Sequence, residues 1–270
     1  MKPTGLQTAL LAASAILAAA YGALGSGLYD GAPPYALPAL FKASGIVVLA
    51  LIAIWTAGAS PAGADVGKLE RATSGRASVA GSDALPPSEA GAMPARAPAV
   101  HNKLLAAGLL FGALGDVLLA WSPDTFLYGA FAFLIGHLFY ITLFLRAGLG
   151  VAALRQPPRL LGAIALIAAA VLMTLLLAPR GNAMFAPLSL YTGVLTCMAL
   201  AAFTLPGARW LAMAGAVLFF VSDGFVAWNL FHPDPNPALA HWRSFTGWMI
   251  YWAGQAGICF GALGLHRTSR

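Results

Sequence analysis

The sequence predicts an all-α fold: a polytopic membrane bundle of eight transmembrane helices. Three observations predict it. Only 9% of the 270 residues are charged, far below the roughly 25% that clothes a soluble globule. Hydrophobic residues make up 60% of the chain. Eight apolar stretches are each long enough to cross about 30 Å of hydrocarbon at about 1.5 Å per residue.

These stretches are residues 5–24, 35–57, 103–120, 125–145, 160–178, 185–205, 210–231 and 245–265. Open sheet edges cannot sit in lipid, and none of the stretches alternates as a barrel strand does, so each is expected to be a helix. The first also admits a reading as a secretory leader through "AAAYG". One lysine ahead of a long apolar run favours a span instead. Between the second and third stretches, residues 58–100 are rich in Ala, Gly, Ser and Pro and hold no aromatic residue. Such a segment cannot bury a core and is expected to be a disordered cytoplasmic loop within a single membrane domain of residues 1–270. No internal repeat stands out.

Orientation follows from the 15 Lys and Arg residues, because positive residues collect on the cytoplasmic side. With eight spans, one side receives Lys2, Lys68, Arg71, Arg76, Arg96, Lys103, Arg146, Arg155, Arg159, Arg209, Arg267 and Arg270. The other receives Arg180 and Arg243, and Lys42 lies inside a span. Both termini are therefore expected in the cytoplasm. The same distribution accounts for the +6 net charge without nucleic acid, since no basic patch is interleaved with aromatic residues. Cys197 and Cys259 fall inside spans with no CxxC or Cys/His spacing, and read as small apolar residues.

Inside the spans stand residues that lipid does not favour. Asp116 sits within "LLFGALGDVLLAW" and Asp223 within "VLFFVSDGFVAWNLF". A charge at bilayer depth costs at least ~2.5 kcal/mol, so such groups face the bundle interior and find partners. Lys42, His137, Gln255, Tyr191 and Tyr251 join them. Counted from the extracytoplasmic helix ends at the helical rise, Asp116 lies about 6 Å deep, Lys42, Tyr191 and Tyr251 about 10 Å, Asp223 about 12 Å, Gln255 about 15 Å and His137 about 18 Å. One shared layer in the outer half of the membrane is what a cavity opening toward one leaflet requires.

Helical spacing adds detail. Tyr251 and Gln255 are four apart and share a face, as do His137 and Tyr140, three apart. Gly108, Gly112 and Gly115 flank Asp116, and Gly257 pairs with Gly261 for close helix packing. Blander roles stand beside the functional ones. His137 could tie two helices together, Lys42 could snorkel outward or meet a phosphate, and the tyrosines could belong to the interfacial belt. Asp116 and Asp223 resist such readings because a carboxylate has too short a stem to snorkel. Two carboxylates in one low-dielectric pocket do not both ionise readily, so the pair offers one acid and one carboxylate. That equipment protonates a substrate and steadies the cation that results. Ser222 adjoins Asp223, but neighbours on a helix do not face each other, which disfavours an activated nucleophile. Metal at Asp116, His137 and Asp223 comes second, a three-ligand zinc site normally using more histidine. No GxSxG, HExxH, phosphate-binding or dinucleotide motif is present.

The elements "FGALGDVLL", "FLIGHLFYITLF", "GAVLFFVSDGFVAWNLF" and "YWAGQAGI", in this order, resemble those of the YhhN-like lysoplasmalogenase family of multi-span membrane proteins. The helix beginning at Tyr191 and Lys42 in the second stretch are similar to that pattern too. The resemblance implies hydrolysis of the vinyl-ether bond of lysoplasmalogens to a fatty aldehyde and a glycerophospho head group, with no cofactor. It implies catalytic roles for Asp116, Asp223 and His137, and substrate contacts from Lys42, Tyr140, Tyr191, Ser222, Tyr251 and Gln255. The implied partner is a single-chain lysophospholipid drawn from the membrane, and the expected location is a bacterial inner (cytoplasmic) membrane. A proton-coupled small-molecule transporter is the competing class, because Asp and His inside spans also build proton relays. It would be expected to show two related halves with broken spans, which are not apparent here.

Overall fold

The computed structural model of the chain describes residues 5–24, 36–58, 96–177, 181 and 183–263. Within them lie eight α-helices: α1 (Gly5–Leu24), α2 (Ala36–Gly58), α3 (Arg96–Trp121), α4 (Phe126–Ala147), α5 (Pro157–Leu177), α6 (Phe185–Ala202), α7 (Trp210–Phe231) and α8 (Pro237–Leu263). Three short 3-10 turns join them, and the described residues hold no strand. The first seven helices are long and apolar enough to cross a membrane, and the chain is an integral membrane protein. The eighth, at 27 residues, is longer than any of them, but Arg243, Ser244, Gln255 and its several glycines and aromatic residues dilute its apolar content.

Six of the expected stretches coincide with helices to within three residues. Two helices start earlier. α3 begins at Arg96 rather than 103 and takes in the end of the 58–100 segment, while α8 begins at Pro237 rather than 245. Both extensions, RAPAVHN in α3 and PALAHWRS in α8, are too polar to register as apolar runs. Asn236 starts α8 by accepting the backbone N–H groups of Ala238 at 3.0 Å and Leu239 at 3.4 Å, with Pro237 at the first helical position, where its missing N–H costs nothing. The greater part of the 58–100 loop, residues 59–95, lies outside the described residues. So do Lys2, Lys68, Arg71, Arg76, Arg180, Arg267 and Arg270 of the orientation argument.

α8 is the hub, packing on α1, α2, α3 and most extensively on α7. Lipid supplies no hydrophobic drive between helices, so close backbone approach has to supply dispersion instead. A Cβ built on Gly215 would lie 2.6 Å from the carbonyl oxygen of Gly254, and one on Gly254 would lie 2.9 Å from that of Gly215. α1 joins through indoles: Trp248 donates to the Ala18 carbonyl at 2.8 Å and Trp252 to the Ser14 hydroxyl at 2.8 Å. Ser14 in turn donates to the Gly45 carbonyl of α2 at 2.7 Å. Ile46, Leu49, Leu105, Leu109, Leu143, Phe144, Leu195 and Met198 fill the core between α2, α3, α4 and α6. α5 stands at the edge, with Leu161, Ile164, Leu172 and Leu176 exposed as a lipid-facing surface. Cys197 is exposed, whereas Cys259 is buried and its thiol points to the Leu49 carbonyl at 3.7 Å.

Candidate active site

A cavity of about 1040 Å³ opens inside the bundle, with lining residues from all eight helices, at the upper end of ordinary small-molecule pockets. Lys42, Asp116, Tyr191, Ser222, Asp223 and Tyr251 line its inner end. The remaining wall is mainly apolar, including Leu119, Phe133, Met173, Met184, Leu188 and Phe225. Leu127, Val226 and Leu230 also line it while standing half exposed on the outer surface, so its rim reaches the lipid face.

Asp116 is only 2% exposed and lies 3.7 Å, Oδ1 to Nζ, from Lys42. The Lys42 ammonium also sits 5.6 Å above the Trp248 ring, an arrangement that holds a cation over a π face. The Tyr251 hydroxyl donates to Asp116 Oδ2 at 2.9 Å. Behind it, Gln255 Nε2 donates to the Tyr251 oxygen at 3.2 Å, and Tyr140 donates to Gln255 Oε1 at 2.6 Å. Four side chains from three helices thus form one directed chain ending on Asp116. Gly112 makes room for it: a Cβ there would lie 2.8 Å from Gln255 Nε2 and 3.3 Å from the Tyr251 hydroxyl.

Asp223 has a separate set of partners. Tyr191 donates to its Oδ2 at 2.7 Å, and the Ser222 hydroxyl lies 3.4 Å from its Oδ1 while donating to the Phe219 carbonyl at 2.7 Å. His137 Nε2 is 3.2 Å from the Tyr191 oxygen and 4.0 Å from Asp223 Oδ2. Tyr191 has one hydroxyl proton and gives it to Asp223, so the His137 Nε2 carries the hydrogen in that contact. Its other nitrogen, Nδ1, is buried without a partner, against the Phe219 ring with centroids 4.8 Å apart.

The structure therefore gathers all nine residues singled out from sequence, but at two depths. Lys42, Asp116, Tyr191, Ser222, Asp223 and Tyr251 face the cavity; His137 and Gln255 do not line it and reach it through Tyr191 and Tyr251, and Tyr140 reaches it through Gln255. His137 and Tyr140, on one face of α4, serve different carboxylates. Among the described residues no group of three His, Cys, Asp or Glu side chains comes close enough to hold a metal ion. Sequence reading passed over Trp248, three residues before Tyr251 on the same face, and Phe133, four before His137; their helical spacing from named site residues was the available clue. It also passed over Asn229, His241 and Ser244, which line the cavity toward the α7–α8 connection. Chemically, one cavity presents two carboxylates, one beside a cation and one held by neutral hydroxyls.

Residues 90–262, more than half of the chain, match the YhhN family. The chain is 36% identical over 129 residues to lysoplasmalogenase TMEM86B of Mus musculus, covering 47% of this chain and 51% of that protein. It is 33% identical over 165 residues to the Homo sapiens protein of the same name, covering 60% and 65%. The Rattus norvegicus protein matches at 36% over 132 residues, covering 48% and 51%. The chain thus spans about half to two thirds of the length of these relatives. No solved structure matches it at a significant level. With the stretches around Asp116, His137, Asp223 and Gln255 all inside the matched residues, the chain belongs to the YhhN family.

Proposed function

We propose that this protein hydrolyses the vinyl-ether bond of lysoplasmalogens, releasing a fatty aldehyde and a glycerophospho head group. The observation that carries the reading is the pair of differently partnered carboxylates in one cavity whose apolar wall reaches the lipid face. A single hydrocarbon chain fits such a wall, and the matched relatives carry the name lysoplasmalogenase.

The reaction needs a proton on carbon, then water. In this reading Asp223, with no lysine or arginine against it, donates a proton to the outer alkenyl carbon. The adjacent carbon and ether oxygen then share an oxocarbenium charge. Asp116, kept as a carboxylate by Lys42, steadies that cation and takes a proton from the water that adds to it. The hemiacetal then collapses: Asp116 gives the proton it took from water to the departing glycerol oxygen, and the hemiacetal hydroxyl gives its proton back to Asp223, which Tyr191 and, behind it, His137 hold in place. One water is consumed, and atoms balance with no other co-reactant. Gln255 and Tyr140 hold Tyr251 in register; Ser222 and Lys42 help place the glycerophosphate.

We also read α8 as an eighth span, with both termini cytoplasmic in a bacterial inner membrane. Its place as the packing hub supports this, as does the twelve-to-two split of Lys and Arg counted from the sequence. Helical rather than barrel spans suit that membrane.

The test is aldehyde release from 1-alkenyl lysophosphatidylcholine and lysophosphatidylethanolamine by the purified chain in detergent. Wild type is expected to release aldehyde, and folded Asp116→Asn and Asp223→Asn to be slower by at least about 100-fold, the scale of a lost acid or base. Undiminished release by both variants would exclude this mechanism. No release by folded wild type would redirect attention to other ether lysolipids and then to a carrier.

A further inference from the structure

The cavity continues past the carboxylates to the connection between α7 and α8, where Asn229, His241 and Ser244 line it. On α8, His241, Ser244, Trp248 and Tyr251 lie at i, i+3, i+7 and i+10, one continuous stripe; on α7, Ser222 and Asn229 are seven apart. Asn229 Nδ2 donates to the Ser244 hydroxyl across the two helices at 3.3 Å. Two other polar atoms of this group, Asn229 Oδ1 and His241 Nδ1, are enclosed and have no hydrogen-bond partner. Buried polar atoms are seldom left unmatched; Asn229 Oδ1 calls for a donor, and so does His241 Nδ1 in the tautomer that carries its hydrogen on Nε2. The nearby Arg243 does not line the cavity: its terminal nitrogens are held by Asp234 at 3.4 Å and by the His232 carbonyl at 3.4 Å, and its enclosed Nε has no partner. Among the described residues lining this end, no Asp, Glu, Lys or Arg is present.

Resting on the lysolipid reading above, we propose that Asn229, His241 and Ser244 form a head-group subsite that selects phosphoethanolamine over phosphocholine. Length supports it. Asn229 lies about 9 Å along α7 from Asp223, and Ser244 about 10 Å along α8 from Tyr251. An extended chain advances about 1.2 Å per bond, so the amine of a head group, nine bonds from the ether oxygen, reaches about 11 Å. The amine therefore arrives at the depth of these three side chains. A primary ammonium brings three N–H donors to a site with surplus acceptors, whereas a quaternary ammonium brings none. An uncharged subsite also suits a head group whose phosphate and ammonium cancel, and offers nothing to one with net negative charge.

The test uses the full chain in detergent and non-cleavable 1-O-alkyl lysolipids bearing ethanolamine, choline or glycerol head groups, with binding read by quenching of tryptophan fluorescence. The ethanolamine lipid is expected to bind about tenfold more tightly than the choline lipid, the scale of one hydrogen bond from a charged donor. The glycerol lipid is expected to bind most weakly. Asn229→Leu and, at the more exposed position, Ser244→Ala are expected to bring the ethanolamine-to-choline ratio toward one. The same collapse is expected in the kcat/KM ratio on the cleavable lipids. Equal binding of ethanolamine and choline lipids by wild type, or variants that weaken both alike, would overturn the subsite while leaving the hydrolase reading in place. No binding of any of the three to the folded chain would overturn both.

Discussion

Gln255 is the residue whose chemistry is least replaceable in the Asp116 chain. Its carbonyl takes the Tyr140 proton and its amide nitrogen donates to Tyr251, which leaves the Tyr251 proton no direction but Asp116. A carboxylate at this position has no hydrogen to give, so Tyr251 would turn its proton back toward it. Gln255→Glu is therefore expected to lower kcat on a vinyl-ether lysolipid by at least about tenfold, since a hydrogen bond to a charged group is worth about 1.5–3 kcal/mol. A smaller perturbation tests the same chain. The Cβ of Gly112→Ala would displace the far end of the Gln255 side chain, a shift that flexible atoms make at little cost. It is expected to slow kcat by about three- to tenfold while the melting temperature hardly moves; a large loss of stability with normal kcat would show that Gly112 serves packing alone. At this scale the sequence was informative about Asp116 and Asp223, because a short charged stem amid apolar flanks reaches neither water nor the interface and has to be met by polar groups from other helices. It could not say that His137 and Tyr140, sharing a helix face, attach to opposite carboxylates. That depends on which neighbour each meets and how α6 and α8 are turned, and periodicity carries neither.

Helices were legible where apolar length alone defined them. α1 and α7 coincide with their expected stretches, whereas α3 and α8 extend into polar turns that no hydropathy window registers. The Asn-Pro start of α8 was readable in principle, since a capping side chain followed by proline has a backbone reason to begin a helix. Glycines within spans suggest close packing, and the α7–α8 pair shows why. At Gly215 a Cβ would meet backbone atoms of Gly254, Gly257 and Ile258 within 2.9 Å, and backbone within a helix cannot step aside as a side chain can. Gly215→Ala is therefore expected to force the two helices apart and to destabilise the bundle by about 2–3 kcal/mol or more. A lowered melting temperature in a detergent-based thermal assay would register it. Because α7 carries Asp223 and α8 carries Tyr251, activity per folded molecule is expected to fall as well. An unchanged melting temperature would mean that α7 and α8 have room to accept a methyl group between their backbones.

At the scale of the whole molecule, the convergence of the polar residues on one cavity and the direction in which that cavity runs bear on substrate access. The cavity runs from the carboxylates toward the connection between α7 and α8, and half-exposed Leu127, Val226 and Leu230 place its rim on the lipid face. If the positive residues mark the cytoplasmic side, this end faces away from the cytoplasm, and the substrate enters from the outer leaflet. Single cysteines at two exposed positions decide it, in a background where Cys197 and Cys259 are replaced by alanine. Pro235→Cys lies in the α7–α8 connection and Gln156→Cys in the connection before α5. With an impermeant maleimide on intact cells, Pro235→Cys is expected to be labelled at once and Gln156→Cys only after the membrane is opened. The reverse pattern would turn the molecule over and place the cavity mouth in the cytoplasmic leaflet. Labelling of both in intact cells would mean that α5, α6 and α7 do not each cross the membrane, since three crossings between the two positions are what separate them.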